Sequence, residues 1–123
     1  MKPLTVVVAQ CDPKSAESLA ASLHSHFKAV HVARDLEELR RSIAKHRADL
    51  VVVDLELVSL PQVEHLRKEM PATQVVCTHR LADDERWAGA LAAGALDCCH
   101  TSDIRGIVLA ADHDHAMARS TAA

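Results

Sequence analysis

The strongest constraint on this chain is the apolar run Leu50–Val53, rich in β-branched residues and closed by Asp54. No polar residue alternates with the apolar ones. A strand of that kind is covered on both faces, as strands are in a parallel sheet with helices packed above and below. A carboxylate at the end of such a strand is expensive to bury. In open α/β sheets, ligands sit beyond the carboxyl ends of the strands. Asp54 is therefore the first candidate for chemistry.

The rest of the chain repeats one unit. Leu4–Ala9 (LTVVVA) predicts a second buried strand. Asp12-Pro13 opens a helix, with aspartate at the N-cap and proline at the first helical position. Ala16, Leu19, Ala20, Leu23 and Phe27 recur at helical spacing and give it one apolar face. Ala29–Ala33 (AVHVA) predicts a short strand near an edge. Asp35 begins the next helix, and Glu38 three residues on resembles the second half of a capping box. Leu36, Leu39 and Ile43 supply its buried stripe. After Asp54, Ser59 and Gln62 form another capping-box start, Val63 and Leu66 continue that helix inward, and Pro71 ends it. Gln74–Thr78 (QVVCT) predicts a fourth strand. Leu81–Ala93 predicts a helix whose acidic first turn (Asp83, Asp84, Glu85) suits its dipole. Gly94 stops it by adopting the left-handed conformation. Leu96–His100 predicts a fifth strand, and Ser102 caps a last helix with Ile104, Ile107, Val108 and Ala111 on one side.

Strand and helix thus alternate five times in 123 residues, which predicts one domain over residues 1–123. The fold class is α/β, a doubly wound five-stranded parallel sheet with right-handed crossovers. The strand order 2-1-3-4-5, one of two common doubly wound solutions and one that five strands fit, places the Asp54 strand centrally. Net charge is −3, which does not favour nucleic acid. Phe27 and Trp87 are the whole aromatic complement, too few for a base-stacking surface. No apolar run approaches the ~20 residues of a membrane span. Gln10, Cys11 and Asp12 interrupt the first apolar stretch too early for a signal peptide. The expectation is a cytoplasmic protein that contacts neither nucleic acid nor membrane, its four cysteines free thiols.

Over essentially its full length the chain resembles a response-regulator receiver domain. The resemblance is carried by the Asp12-Pro13 helix start, by ADLVVVD ending at Asp54, by VVCT ending at Thr78, and by AAGALD before the fifth strand. It implies a flavodoxin-like (βα)5 fold and a signalling module rather than an enzyme. In that family an aspartate at the Asp54 position accepts a phosphoryl group from a histidine kinase. The hydroxyl matching Thr78 hydrogen-bonds that group. Phosphorylation then alters the face made by the fourth helix, fifth strand and fifth helix, which is also a candidate homodimer face.

Other positions depart from the family pattern. Gln10 and Cys11 stand where an acidic pair would hold Mg²⁺. Thr101 and Ser102 stand where an invariant lysine and its usual proline would be, and Cys98 replaces the aromatic switch residue. The loop after Asp54, LELVSLPQ, lacks the usual proline–glycine pattern. Asp12 matches a third acid that is not normally a metal ligand, and is the weak metal candidate. Mg²⁺ is hard and takes carboxylate and water oxygens, whereas a thiol is soft. Phosphoryl transfer rests on positioning and on cations. Losing two carboxylates and an ammonium removes several kcal/mol of transition-state stabilisation, each ~1.4 kcal/mol being tenfold in rate.

The expectation is an atypical, cofactor-free receiver that works by contact with a histidine kinase or another signalling protein, with little or no phosphorylation. Asp54 is then an acid hydrogen-bonded to local backbone and water. One alternative is a phosphorylatable receiver using Asp54, Thr78 and Mg²⁺. Another is a thiol or metal sensor, because Cys11, Cys77, Cys98, Cys99, His79 and His100 all lie near strand ends. Against it, Cys98 and Cys99 point to opposite faces, and no CxxC or HxxxH spacing occurs. His113 and His115 suit a helix C-terminus as solvated residues, and could also catch a metal at a crystal contact. Trp87 is either a partner anchor or a cover for the sheet. No effector domain occurs in the sequence, so the chain is either a stand-alone receiver or an excised piece.

Overall fold

The computed structural model describes residues 2–112. The elements run β1 (Lys2–Ala9), α1 (Pro13–His24), β2 (Phe27–Ala33), α2 (Leu36–His46), β3 (Leu50–Asp54), α3 (Leu60–Glu69), β4 (Gln74–His79), α4 (Asp84–Ala92) and β5 (Asp97–His100). A fifth helix, α5, begins at 104 and continues through 112. His113 and His115 lie outside the described residues.

All strand pairs are parallel and the order is β2-β1-β3-β4-β5, as expected from the sequence. Alternate residues of each strand feed two separate cores. Val7, Ala9, Val51, Val53, Val75 and Cys77 meet Leu39 and Ile43 of α2, Val63 and Leu66 of α3 and Ala90 of α4. Val6, Val8, Leu50, Val52 and Val76 meet Leu19 and Leu23 of α1 and Ile107 and Ala111 of α5. Every residue of β3 is buried because helices cover both of its faces. That is the physical reason for its unbroken apolar run.

The helix starts follow from their caps. Asp12 accepts from the Ser15 amide and Pro13 occupies the first helical turn. Ser59 and Gln62 complete both halves of a capping box on α3. Gly94 has φ +100°, which only glycine adopts without strain, and it ends α4 as expected.

Several element ends and one cap differ from the sequence expectation. Phe27 does not extend α1. The helix stops at His24, and Phe27 opens β2 while filling the same core as Leu19 and Leu23. Asp35 caps α2 by accepting from the Glu38 amide at 2.8 Å, but the Glu38 side chain turns to Arg34 instead of closing a box. Helix α4 starts at Asp84 rather than near Leu81, because the Asp83 carboxylate accepts from the Arg86 amide and fixes the cap there. Asp103, not Ser102, caps α5: its carboxylate accepts from the Gly106 amide at 2.9 Å, while the Ser102 hydroxyl lies 2.9 Å from His100 Nδ1. In each aspartate case a charged acceptor satisfies an orphan amide. Strand β4 also runs one residue past Thr78, and β5 starts at Asp97.

Phe27 is fully buried between α1 and the sheet. Phe27→Ala is expected to lower stability by about 3–5 kcal/mol, read from the urea midpoint at an unchanged slope.

Candidate functional site

Parallel pairing brings the carboxyl ends of β1, β3 and β4 to one rim. Asp54 lies directly opposite Thr78, and Ala9, the last residue of β1, lies opposite Val53. Gln10 and Cys11 leave β1 at this rim, so four of the residues singled out from sequence meet here.

Asp54 is 6% exposed. Its Oδ2 accepts from the Cys11 backbone N–H at 3.1 Å, and its Oδ1 accepts from the Glu56 backbone N–H at 2.9 Å. Two amide donors to one carboxylate offset much of the cost of burying it. Thr78 is fully buried. Its hydroxyl accepts from Gln10 Nε2 at 3.0 Å and donates to the Val53 carbonyl at 3.4 Å. Gln10 is 3% exposed, and its Oε1 is buried without a hydrogen-bond partner. The Gln10 amide and the Thr78 hydroxyl therefore close on each other, while Asp54 is held by backbone.

Two further residues belong to this rim and were missed from the sequence. Arg80 Nε and Nη2 both donate to Glu56 Oε1, at 2.9 and 2.7 Å, and His79 Nε2 lies 3.7 Å from the same oxygen. The Glu56 hydrogen bond, and then its charge, hold the Arg80 guanidinium pKa up, with Asp54 and Cys11 adding to the effect. Arg80 thus stands just past the end of β4, on the Asp54 side of the rim, with its guanidinium held by Glu56. The available signal was the strand register. Asp54 and Thr78 are partners, so the residues two places beyond each had to share an edge.

The other candidates are elsewhere engaged. Thr101 lines a cleft of about 310 Å³ between α1 and α5 with Lys14, Ser18 and Ser102, and its hydroxyl is buried without a partner. Asp12 is exposed and accepts from the Ser15 amide and hydroxyl, which together lower its pKa. It is a cap. Cys77 and Cys98 are register partners in one core, whereas Cys99 lies in the other. Among the described residues no group of three or more His, Cys, Asp or Glu side chains is arranged to hold a metal. His79 Nδ1 instead accepts from the Leu81 amide at 2.8 Å, and His100 pairs with Ser102.

The residues present do not fit Mg²⁺. Asp54 is the one carboxylate among the residues at the implied metal positions. Gln10 offers a neutral oxygen and Cys11 an exposed thiol. At those positions a hard dication would meet one carboxylate, because the Glu56 carboxylate is engaged by Arg80.

No protein-family model matches this sequence, and no curated protein matches it. Solved structures do match. The chain superposes on a response regulator from Thermotoga maritima with TM-score 0.78 and 22% identity, over 92% of this chain and 97% of that one. It superposes on a two-component response regulator of the LuxR family from Aurantimonas sp. SI85-9A1 with TM-score 0.80 and 21% identity, over 94% and 86%. Against NtrX from Brucella abortus the TM-score is 0.81 at 18% identity, over 98% of this chain and 28% of that longer one. The chain has the receiver fold. Within that fold the Asp54 rim lies at the carboxyl end of the central strand β3. Trp87 on α4 is 47% exposed, its indole N–H donating to Asp97 Oδ1 of β5 at 3.0 Å. No helix among the described residues is long and apolar enough to cross a membrane.

Asp54→Ala leaves the Cys11 and Glu56 amides without their acceptor. It is expected to cost about 1–3 kcal/mol in a denaturant titration. Burial pushes the Cys77 and Cys99 thiols up from the usual 9.0 to about 12, with Cys98 adding to the rise at Cys77 and Asp97 to that at Cys99. Between those values the unfolded chain releases protons that the folded chain keeps, so stability is expected to fall as pH rises from 9.0 toward 12. Cys77→Ala/Cys99→Ala, followed by urea titration across that range, should flatten the slope.

Proposed function

We propose that the chain is a receiver module of two-component signalling that works by protein contact, with little or no phosphorylation at Asp54. The observation that carries this reading is the closed state of the rim. Both Asp54 oxygens accept backbone amides, and Gln10, standing where a metal-binding acid would be, ties up the Thr78 hydroxyl. An incoming phosphoryl group would meet neither the cation set that phosphoryl transfer requires nor an unengaged hydroxyl. The fold shared with response regulators supports the signalling role, and it is the basis for a cytoplasmic placement. The partner is a histidine kinase or another signalling protein. Trp87, half-exposed on α4, is the anchor for such a partner or for a second copy across the α4–β5–α5 face.

One observation favours the alternative in which Asp54 is a phosphoacceptor. Arg80 brings a cation to the rim from β4, where the lysine is missing from the end of β5. Its charge is largely answered by Glu56, which accepts both of its hydrogen bonds. The contact reading therefore takes precedence.

Incubation with a small-molecule phosphodonor and Mg²⁺, read by intact mass, separates the two. The expected result is no stable adduct on the native chain, with adduct formation appearing in Gln10→Asp/Cys11→Asp/Thr101→Lys. A stoichiometric phosphoryl adduct lost in Asp54→Asn would establish the alternative.

A further inference from the structure

Strand β2 is an edge of the sheet, and with α2 it borders a cleft of about 480 Å³ that plays no part in the Asp54 rim. The cleft shares none of its lining residues with that rim. The charges in this cleft are unbalanced. Arg34, Arg41 and Lys45 line it together with His31 and His46, against the single carboxylate of Glu38. Yet the whole chain carries −3, so the cations are not part of a generally basic surface.

Pairing sharpens the contrast. Glu38 lies 3.4 Å from Arg34 and is committed to it. Arg40, on the same helix, is neutralised by Glu69 of α3 at 3.0 Å. Arg41 and Lys45 form no ion pair among the described residues. They stand four residues apart on α2, where like charges repel. His31 and His46 add a second unrelieved arrangement. Their rings stack face to face across the β2–α2 junction, centroids 3.6 Å apart and planes 8° apart. Two imidazolium ions cannot occupy that stack without repulsion. Burial, then His46, then Lys45 hold the His31 pKa down. The repulsions of Arg41 with Lys45 and of His31 with His46 and Lys45 fall when an anion enters the cleft.

We infer that the β2–α2 cleft binds a small phosphate-bearing anion, with Arg41 and Lys45 as its fixed charges and the His31–His46 stack as a proton-linked contributor. A guanidinium offers a fork suited to phosphate oxygens, and an ammonium adds a point charge. The cleft volume suits a small molecule. Bound anion raises the basicity of the stack, so binding takes up protons as pH falls toward the histidine range. The charged groups facing the stack are His31 from β2, Arg34 from the segment after it, and Glu38, Arg41, Lys45 and His46 from α2.

The test is calorimetric titration of the full chain with inorganic pyrophosphate at low salt. It is paired with NMR titration of the His31 and His46 rings with and without saturating pyrophosphate. Saturable binding is expected, weakened about tenfold or more in Arg41→Ala/Lys45→Ala. Lys68→Ala/Arg105→Ala removes the same charge elsewhere and should leave affinity unchanged. Ring titration should move to higher pH in the bound state. Succinate carries two carboxylates and no phosphate, and should bind more weakly. Absence of saturable binding overturns the inference. So does equal loss in both double variants, unmoved histidine titration, or succinate binding as tightly as pyrophosphate. None of these outcomes bears on phosphorylation at Asp54.

Discussion

Val6 to Ala9 of β1 and Leu50 to Asp54 of β3 expose almost nothing to water, so their backbone amides and carbonyls can be satisfied only by neighbouring strands. Parallel pairing meets that demand and at the same time sets the register of β4, with Asp54 opposite Thr78. Because the carboxyl ends then coincide, the polar residues that follow each strand are forced onto one rim. The Asp54 carboxylate, the Thr78 hydroxyl and the Gln10 amide therefore meet for the same reason that the core is dry.

That rim holds few groups without partners. Asp54 is answered by two backbone N–H groups, Thr78 by Gln10 and a carbonyl, and Arg80 by Glu56. A reaction centre needs groups that are held in place yet still free to engage a substrate. Here the polar groups mostly satisfy one another, and the exception, Gln10 Oε1, is a neutral acceptor. A cluster of cations without an ion pair among the described residues lies at β2 and α2, where Arg41 and Lys45 line one cleft.

Much of the fold was legible because local chemistry and burial agreed. β-branched runs marked β1, β3 and β4, and Asp12, Asp35 and Ser59 marked helix starts. The misplacements have two causes. Periodicity continues through a turn when the next element buries into the same core, as Phe27 does after α1. The polarity of a loop likewise does not say which acid becomes the cap: Asp83 and Asp103 did, rather than residues nearer Leu81 and Ser102.

By itself the sequence determined the alternation of elements and the place of Asp54 at the end of a strand buried on both faces. These follow from local patterns of burial and from residue identity. Only the tertiary structure decided which side chains answer one another: Gln10 with Thr78, Arg80 with Glu56, and His31 stacked on His46. Each of those contacts joins residues far apart in the chain. Hydrogen bonds and ring stacking depend on ångström-scale placement, which composition and periodicity do not carry.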